Sequence, residues 1–139
     1  MEQMTRKVLI TGGLGLIGKE LIYKLSKKKI KLTIIELGSV IKRNKNFINI
    51  IQNTNISFIK CNILDLKKLE KFSKGHDSLI HLAAMLGVEN TENNIKKCWD
   101  INALGTQNVI SACNKNKIKK LIFTSSSEVY GEAATNKIN

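Results

Sequence analysis

The sequence predicts an α/β fold in which a parallel, doubly wound sheet of five strands carries helices on both faces. Two observations lead there. Short apolar runs alternate with amphipathic helical stretches along the chain, and such alternation demands parallel strands joined by right-handed crossovers. The first run, Lys7–Thr11, is apolar without a polar alternate and ends at glycine, which suits a strand buried on both faces.

The elements follow in order. After the first strand, Ile17, Leu21, Ile22 and Leu25 fall on one face of a helix over 16–28, with lysines in its last turn where the helix dipole favours them. Leu32–Ile35 is a second strand, ending at Glu36. Residues 39–55 are rich in Asn and Lys with scattered Ile, and they read as loop plus an ill-bounded helix. Ile56–Cys61 is a third strand. Asp65–Phe72 is a short helix carrying Leu66, Leu69 and Phe72 on one face, and Ser78–Leu82 and Leu121–Thr124 complete the strands. Between those two lies the strongest helical pattern. Ile95, Cys98, Trp99, Asn102, Thr106, Val109 and Cys113 recur at spacings of three and four, with Thr91 as its N-cap.

Composition narrows the function classes. A chain of 139 residues that is 42% hydrophobic is one domain, 1–139, with enough apolar surface for a real core. No apolar run reaches the roughly 18 residues of a membrane span, and no charged-then-apolar leader opens the chain. Cys61, Cys98 and Cys113 are odd in number and widely spaced, which argues against a disulfide framework or a metal site and for a reduced, cytoplasmic setting. The net charge of +12 invites a nucleic-acid reading, but the lysines sit in short runs such as Lys27–Lys29, Lys67–Lys68, Lys96–Lys97 and Lys119–Lys120. Arginine occurs only at Arg6 and Arg43, and no aromatic residues interleave with the charges to stack bases. Neither nucleic acid nor membrane is expected as a partner, and the lysines read as solvated surface.

The chemistry is concentrated between the first strand and first helix. Gly12, Gly15 and Gly18 are spaced G-x-x-G-x-x-G within Thr11–Gly18. Gly12 allows the tight turn, Gly15 lets the backbone approach a pyrophosphate at the helix N-terminus, and Gly18 lets the helix lie close to the sheet. Glu36 stands 18 residues beyond Gly18, where a carboxylate grips the adenosine ribose hydroxyls of a dinucleotide. It would repel a 2′-phosphate, so NAD is favoured over NADP, although Arg43 lies only seven residues further on. The unit is therefore Rossmann-type, with strand order 3-2-1-4-5.

With these residues in place, the chain resembles the extended short-chain dehydrogenase/reductases, and within them the NAD-dependent nucleotide-sugar epimerase/dehydratase group. The glycine spacing matches that family's TGGxGxxG, in which Leu16 and Ile17 also touch the cofactor. Asn62-Ile63 stands where the family has Asp-Ile facing the adenine, and His81-Leu82-Ala83-Ala84 where it carries HxAA. Asn102–Asn108 matches NxxGTxN, and Thr124–Gly131 the SSSxxVYG region. The resemblance implies that Leu82, Ala83, Ala84 and Thr124 line the cofactor and that Asn102 holds backbone and water near the active site. It further implies that Ser126 binds the substrate hydroxyl being oxidised and that Glu128 serves as acid or base. His81 reads as a hydrogen-bonded structural histidine. Met85, Leu86 and Val88 would edge the sugar pocket. Ser127 replaces the aspartate of the 4,6-dehydratases, which points towards an epimerase or decarboxylase.

The family's chemistry also needs a Tyr-x-x-x-Lys pair on a helix after the fifth strand. The literal match here, Tyr23 to Lys27, lies on the first helix and reads as coincidence. The resemblance thus covers the N-terminal part of such an enzyme, with a bare fifth strand, weak NAD binding, no turnover alone, and a tendency to self-associate. A non-catalytic NAD-binding module or a split-gene remnant is the competing expectation. The expected partners are a nucleotide-sugar, and a second copy or a separately encoded C-terminal part.

Overall fold

The computed structural model describes residues 5–51, 55–87 and 92–130, apart from the side chain of Glu128. Val88, Thr91 and Gly131 lie outside the described residues. Five strands, β1 (Arg6–Thr11), β2 (Ile30–Glu36), β3 (Ile56–Lys60), β4 (Ser78–His81) and β5 (Lys120–Phe123), form one sheet in the order β3-β2-β1-β4-β5. Every pairing is parallel, and the register places Thr11 beside both Ile35 and His81. The strand order and fold class match the sequence prediction, because the apolar runs of the central strands β1 and β2 are buried on both faces.

Alternate residues of the strands feed two cores. Leu9, Ile35 and Leu79 pack with Cys61, Leu69, Val109 and Ala112 on one face, under helices α4 (Leu66–Ser73) and α6 (Gly105–Lys115). Ile10, Leu32 and Ile34 pack with Ile22 and Ile51 on the other, under α1 (Leu16–Ser26) and α3 (Lys45–Ile50). Each Leu, Ile or Val among them, taken wholly from water, contributes about 1.5–3 kcal/mol against chain entropy. β5 is the exception. It lies at the sheet edge with Leu121, Ile122 and Phe123 exposed.

Three stretches differ from the sequence reading. The Asn-rich segment forms two short helices, α2 (Gly38–Arg43) and α3, broken at Asn44, whose side-chain amide donates to the Val40 carbonyl at 2.8 Å. Asp65 is the cap of α4 rather than its first turn, its carboxylate accepting the Lys68 N–H at 3.1 Å. The long helix is not uniform: α5 (Ile95–Trp99) passes through a π-helical turn, Asp100–Leu104, before α6. The wider turn rotates the two α segments relative to each other. Val109, Ala112 and Cys113 face the core, whereas Ile95 and Trp99, on the same periodic pattern, are about 70% exposed. The paired lysines of the sequence are all exposed, as solvated charges should be.

Candidate functional site

Parallel β/α units leave a crevice at the carboxyl ends of the strands where the sheet order reverses. Here that point lies between β1 and β4. A cavity of about 590 Å³ opens there, walled by Gly12 and Gly15, by Glu36, Asn62 and Ile63, and by Leu82, Ala83 and Ala84. Eight of the residues expected at the cofactor thus share one cavity wall.

Gly12 sits at a close backbone approach. Its φ is +72°, and a Cβ there would stand 2.5 Å from the Ala83 backbone nitrogen. The turn out of β1 therefore lies directly against the chain leaving β4. Gly13, which the sequence reading passed over, is pressed against the sheet: a Cβ would meet Ile34 Cγ2 at 2.7 Å and Ile22 Cδ1 at 3.0 Å. Gly18, given that role by the sequence, instead packs against the Gly13 backbone. A Cβ on Gly15 would reach only the Gly12 carbonyl, at 3.5 Å, and would otherwise project into open space.

That open space is a cradle for an anion. Gly15 caps α1 without a side-chain hydrogen bond, and no acidic residue occupies the first turn, so the leading N–H groups and the positive dipole end are available. Leu16 and Ile17, expected from the sequence at the cofactor, begin the helix without lining the cavity, 92% and 64% exposed. Lys19, Arg43 and Lys97 add positive charge to the cavity wall. Arg43 therefore reaches the site from which its distance in sequence had left it undecided.

Glu36 is buried at the end of β2, and its two carboxylate oxygens accept N–H bonds from Leu14 and Leu37, each at 3.1 Å. Burial raises its pKa, and the two backbone bonds partly oppose the rise. Two of the carboxylate's lone-pair positions remain for a ligand. Its role thus includes holding the glycine turn, which spacing alone did not reveal. Asn62 turns the chain after β3 by accepting the Leu64 N–H at 3.0 Å.

The far wall is organised by the NxxGTxN residues. Asn102, in the π turn, grips the Met85 backbone at both groups: its Oδ1 accepts the N–H at 2.7 Å and its Nδ2 donates to the carbonyl at 3.0 Å. Asn108 donates to the Ile63 carbonyl at 3.1 Å. Gly105 admits the Ile63 side chain, whose Cδ1 would lie 2.6 Å from an added Cβ. Asn102 is a backbone clamp, as its family position implied, and does not itself line the cavity.

His81 is buried and its ring bridges two hydroxyls, Thr11 at Nδ1 (2.6 Å) and Thr106 at Nε2 (3.0 Å). Burial pushes its pKa down to about 4, so the ring is neutral at physiological pH. This is the structural histidine of the sequence reading. Thr124 closes the ends of β4 and β5, its N–H and hydroxyl both donating to the His81 carbonyl. Ser126 lies on the exposed chain beyond β5, at the start of a 3₁₀ turn over Ser127–Tyr130. The structure does not bring Thr124 or Ser126 into the cavity wall. Tyr23 and Lys27 are stacked, the ammonium 4.0 Å from the ring centroid, on α1 away from the cavity.

Comparison with known proteins agrees with this geometry. A dTDP-D-glucose 4,6-dehydratase of Dictyostelium discoideum is 38% identical over 130 residues, 91% of this chain and 30% of that protein. A UDP-N-acetyl-alpha-D-glucosaminuronate decarboxylase of Bacillus cytotoxicus is 37% identical, over 93% of this chain and 39% of that protein. The structure of a UDP-N-acetylglucosamine 4-epimerase from Methanobrevibacter ruminantium, in complex with UDP-N-acetylmuramic acid, superposes with a TM-score of 0.84 at 32% identity. That match covers 99% of this chain and 43% of the epimerase. The chain therefore spans well under half the length of these relatives. Residues 8–139 match the NAD dependent epimerase/dehydratase family, and the chain belongs to it.

Proposed function

We propose that residues 1–139 form the NAD-binding domain of a nucleotide-sugar epimerase, or of a related decarboxylase or dehydratase, that acts by transient oxidation of a sugar hydroxyl. One observation carries the reading: the uncapped N-terminus of α1 and the Glu36 carboxylate face one cavity and are tied together by the Leu14 N–H. A dinucleotide needs both, an anion cradle for its pyrophosphate and an acceptor for its ribose hydroxyls. Gly12 and Gly15 would approach the pyrophosphate, Glu36 the ribose, and Asn62 and Ile63 the adenine. Leu82, Ala83 and Ala84 would flank the other half. When bound, NAD supplies the hydride acceptor for the sugar hydroxyl.

Ser126 is assigned to the substrate hydroxyl and Glu128 to proton transfer, on their positions in the family motif. Ser127 in place of an aspartate favours an epimerase or decarboxylase over a 4,6-dehydratase. The nucleotide-sugar, a second copy of the chain or a separately encoded C-terminal part are the partners this reading implies. Three free thiols, two of them buried, and no helix among the described residues long enough to cross a membrane support a cytoplasmic setting. Titration of the chain with NADH, followed by nicotinamide fluorescence, tests the core of the reading. Saturable binding that weakens on adding NAD supports it, and absence of binding at millimolar cofactor overturns it.

A further inference from the structure

The cavity has two ends, and a single chain of hydrogen bonds, buried at Thr11 and His81 and part-buried beyond them, runs between the elements that form them. It begins at Thr11, the last residue of β1 before the glycine turn, and passes through His81 to Thr106. The Thr106 hydroxyl donates to the Asn102 carbonyl at 2.7 Å, and the Asn102 side chain clamps Met85. Met85 sits between Ala84 and Leu86, both in the cavity wall at the end remote from Glu36. Proton counting fixes the direction. Thr106 has one hydroxyl proton, directed to Asn102, so it can only accept from His81. His81 must therefore carry its proton on Nε2 and accept the Thr11 hydroxyl at Nδ1. Phe123 stacks on the ring with centroids 5.8 Å apart, which holds it in that plane.

We propose that His81 is a positioning residue for the half of the site remote from Glu36. Its neutral Nε2–H form holds Thr106, and through it the π turn from which Asn102 sets the wall at Met85. This rests on the reading that the cavity takes NAD. The π turn gives the relay something to hold, since such turns lack the regular i to i−4 ladder that otherwise fixes a helix. A Thr at 106 supplies the hydroxyl that ties the turn to the sheet.

The test compares two ligands and two substitutions in the full chain. ADP occupies only the glycine turn and the Glu36 end, whereas NADH also needs the Met85 wall. Thr106→Val removes the hydroxyl at constant shape and should weaken NADH about tenfold while leaving ADP within about twofold. Thr106→Ser restores the hydroxyl and should return NADH to the wild-type value. Equal weakening of both ligands, or of neither, overturns the proposal. Nitrogen NMR of His81 in the unliganded chain provides a measurement that needs no variant to fold. A pyrrole-type Nε2 and a pyridine-type Nδ1 are expected, and the reverse tautomer or a doubly protonated ring at neutral pH overturns the relay. A wild-type chain that binds neither ADP nor NADH refutes the NAD reading instead, and the NMR result still decides the relay.

Discussion

The Glu36 carboxylate accepts the backbone N–H of Leu14 at 3.1 Å across 22 residues of sequence, which locks the glycine turn to the end of β2. One side chain therefore orders the glycine turn and, on the proposed reading, offers its remaining lone pairs to a ribose. Ligand binding should depend on its charge more strongly than stability does. Because burial raises its pKa, the unfolded chain ionises first as pH rises through 4.5, and stability falls until Glu36 itself ionises. Glu36→Gln keeps an acceptor for Leu14 and removes the buried charge, but it turns an amide N–H towards the Leu37 N–H. We expect these effects to offset, leaving its melting temperature at pH 7 close to that of the wild type. NADH affinity should fall about tenfold or more, the loss of a charge-assisted bond of about 1.5–3 kcal/mol. Parallel thermal melts and NADH titrations check this, and a variant that melts several degrees lower would show the carboxylate to be structural first.

Gly12 and Gly75 have nearly the same positive φ, +72° and +75°, but different surroundings. An added Cβ at Gly75 meets nothing within 4 Å, whereas at Gly12 it collides with the Ala83 backbone. Gly75→Ala should therefore cost only the left-handed backbone penalty, about 1–2 kcal/mol. Gly12→Ala adds a clash that no side-chain rotation relieves, and should cost at least about 2 kcal/mol more and abolish NADH binding. Chemical denaturation of the two variants measures the difference directly. Equal costs would mean that the turn and the Ala83 chain are free to separate.

The sheet and the cofactor end of the site were legible in the sequence because each rests on a local requirement. An apolar run, a positive φ at Gly12 and an acid closing β2 are dictated within a few residues. What escaped depended on partners distant in the chain. Gly13 is required by Ile34 and Ile22, and Gly105 by Ile63, contacts that exist only once the sheet is assembled. The three-and-four spacing runs unbroken through residues 95–113 and gives no sign of the π turn, beyond which Ile95 and Trp99 are exposed. The hydroxyls of Thr11 and Thr106 showed no signal beyond the family motif, since a buried Thr declares its partner only in three dimensions.

His81 makes stability depend on pH in a definite sense. Its folded pKa of about 4 lies below the ordinary 6.5, so the unfolded chain takes up the proton first as pH falls. The contribution is complete above pH 6.5 and is lost progressively between 6.5 and about 4, on the order of 3 kcal/mol in all. Carboxylates titrate across part of the same window, so the informative quantity is a difference. The gap in unfolding free energy between wild type and His81→Gln should narrow as pH is lowered from 7 to 4.5. A gap that stays constant would place the ring in water rather than in the core.

The edge strand sets how the isolated chain behaves in solution. Among the described residues β5 pairs on one side only, and Leu121, Ile122 and Phe123 are 37%, 41% and 52% exposed, an unusual state for three consecutive apolar residues of a strand. Such a surface joins free backbone groups to apolar side chains, which favours pairing with another chain. Phe123 is committed to the His81 ring, so Ile122 is the position to change without disturbing the site. Ile122→Lys places a charge on the edge, and sedimentation velocity should then show less concentration-dependent association than the wild type. The melting temperature should change little, because a half-exposed side chain gives up only part of its transfer free energy. Unaltered association in Ile122→Lys would move the self-association surface away from β5, to the other exposed apolar stretch at Ile95 and Trp99.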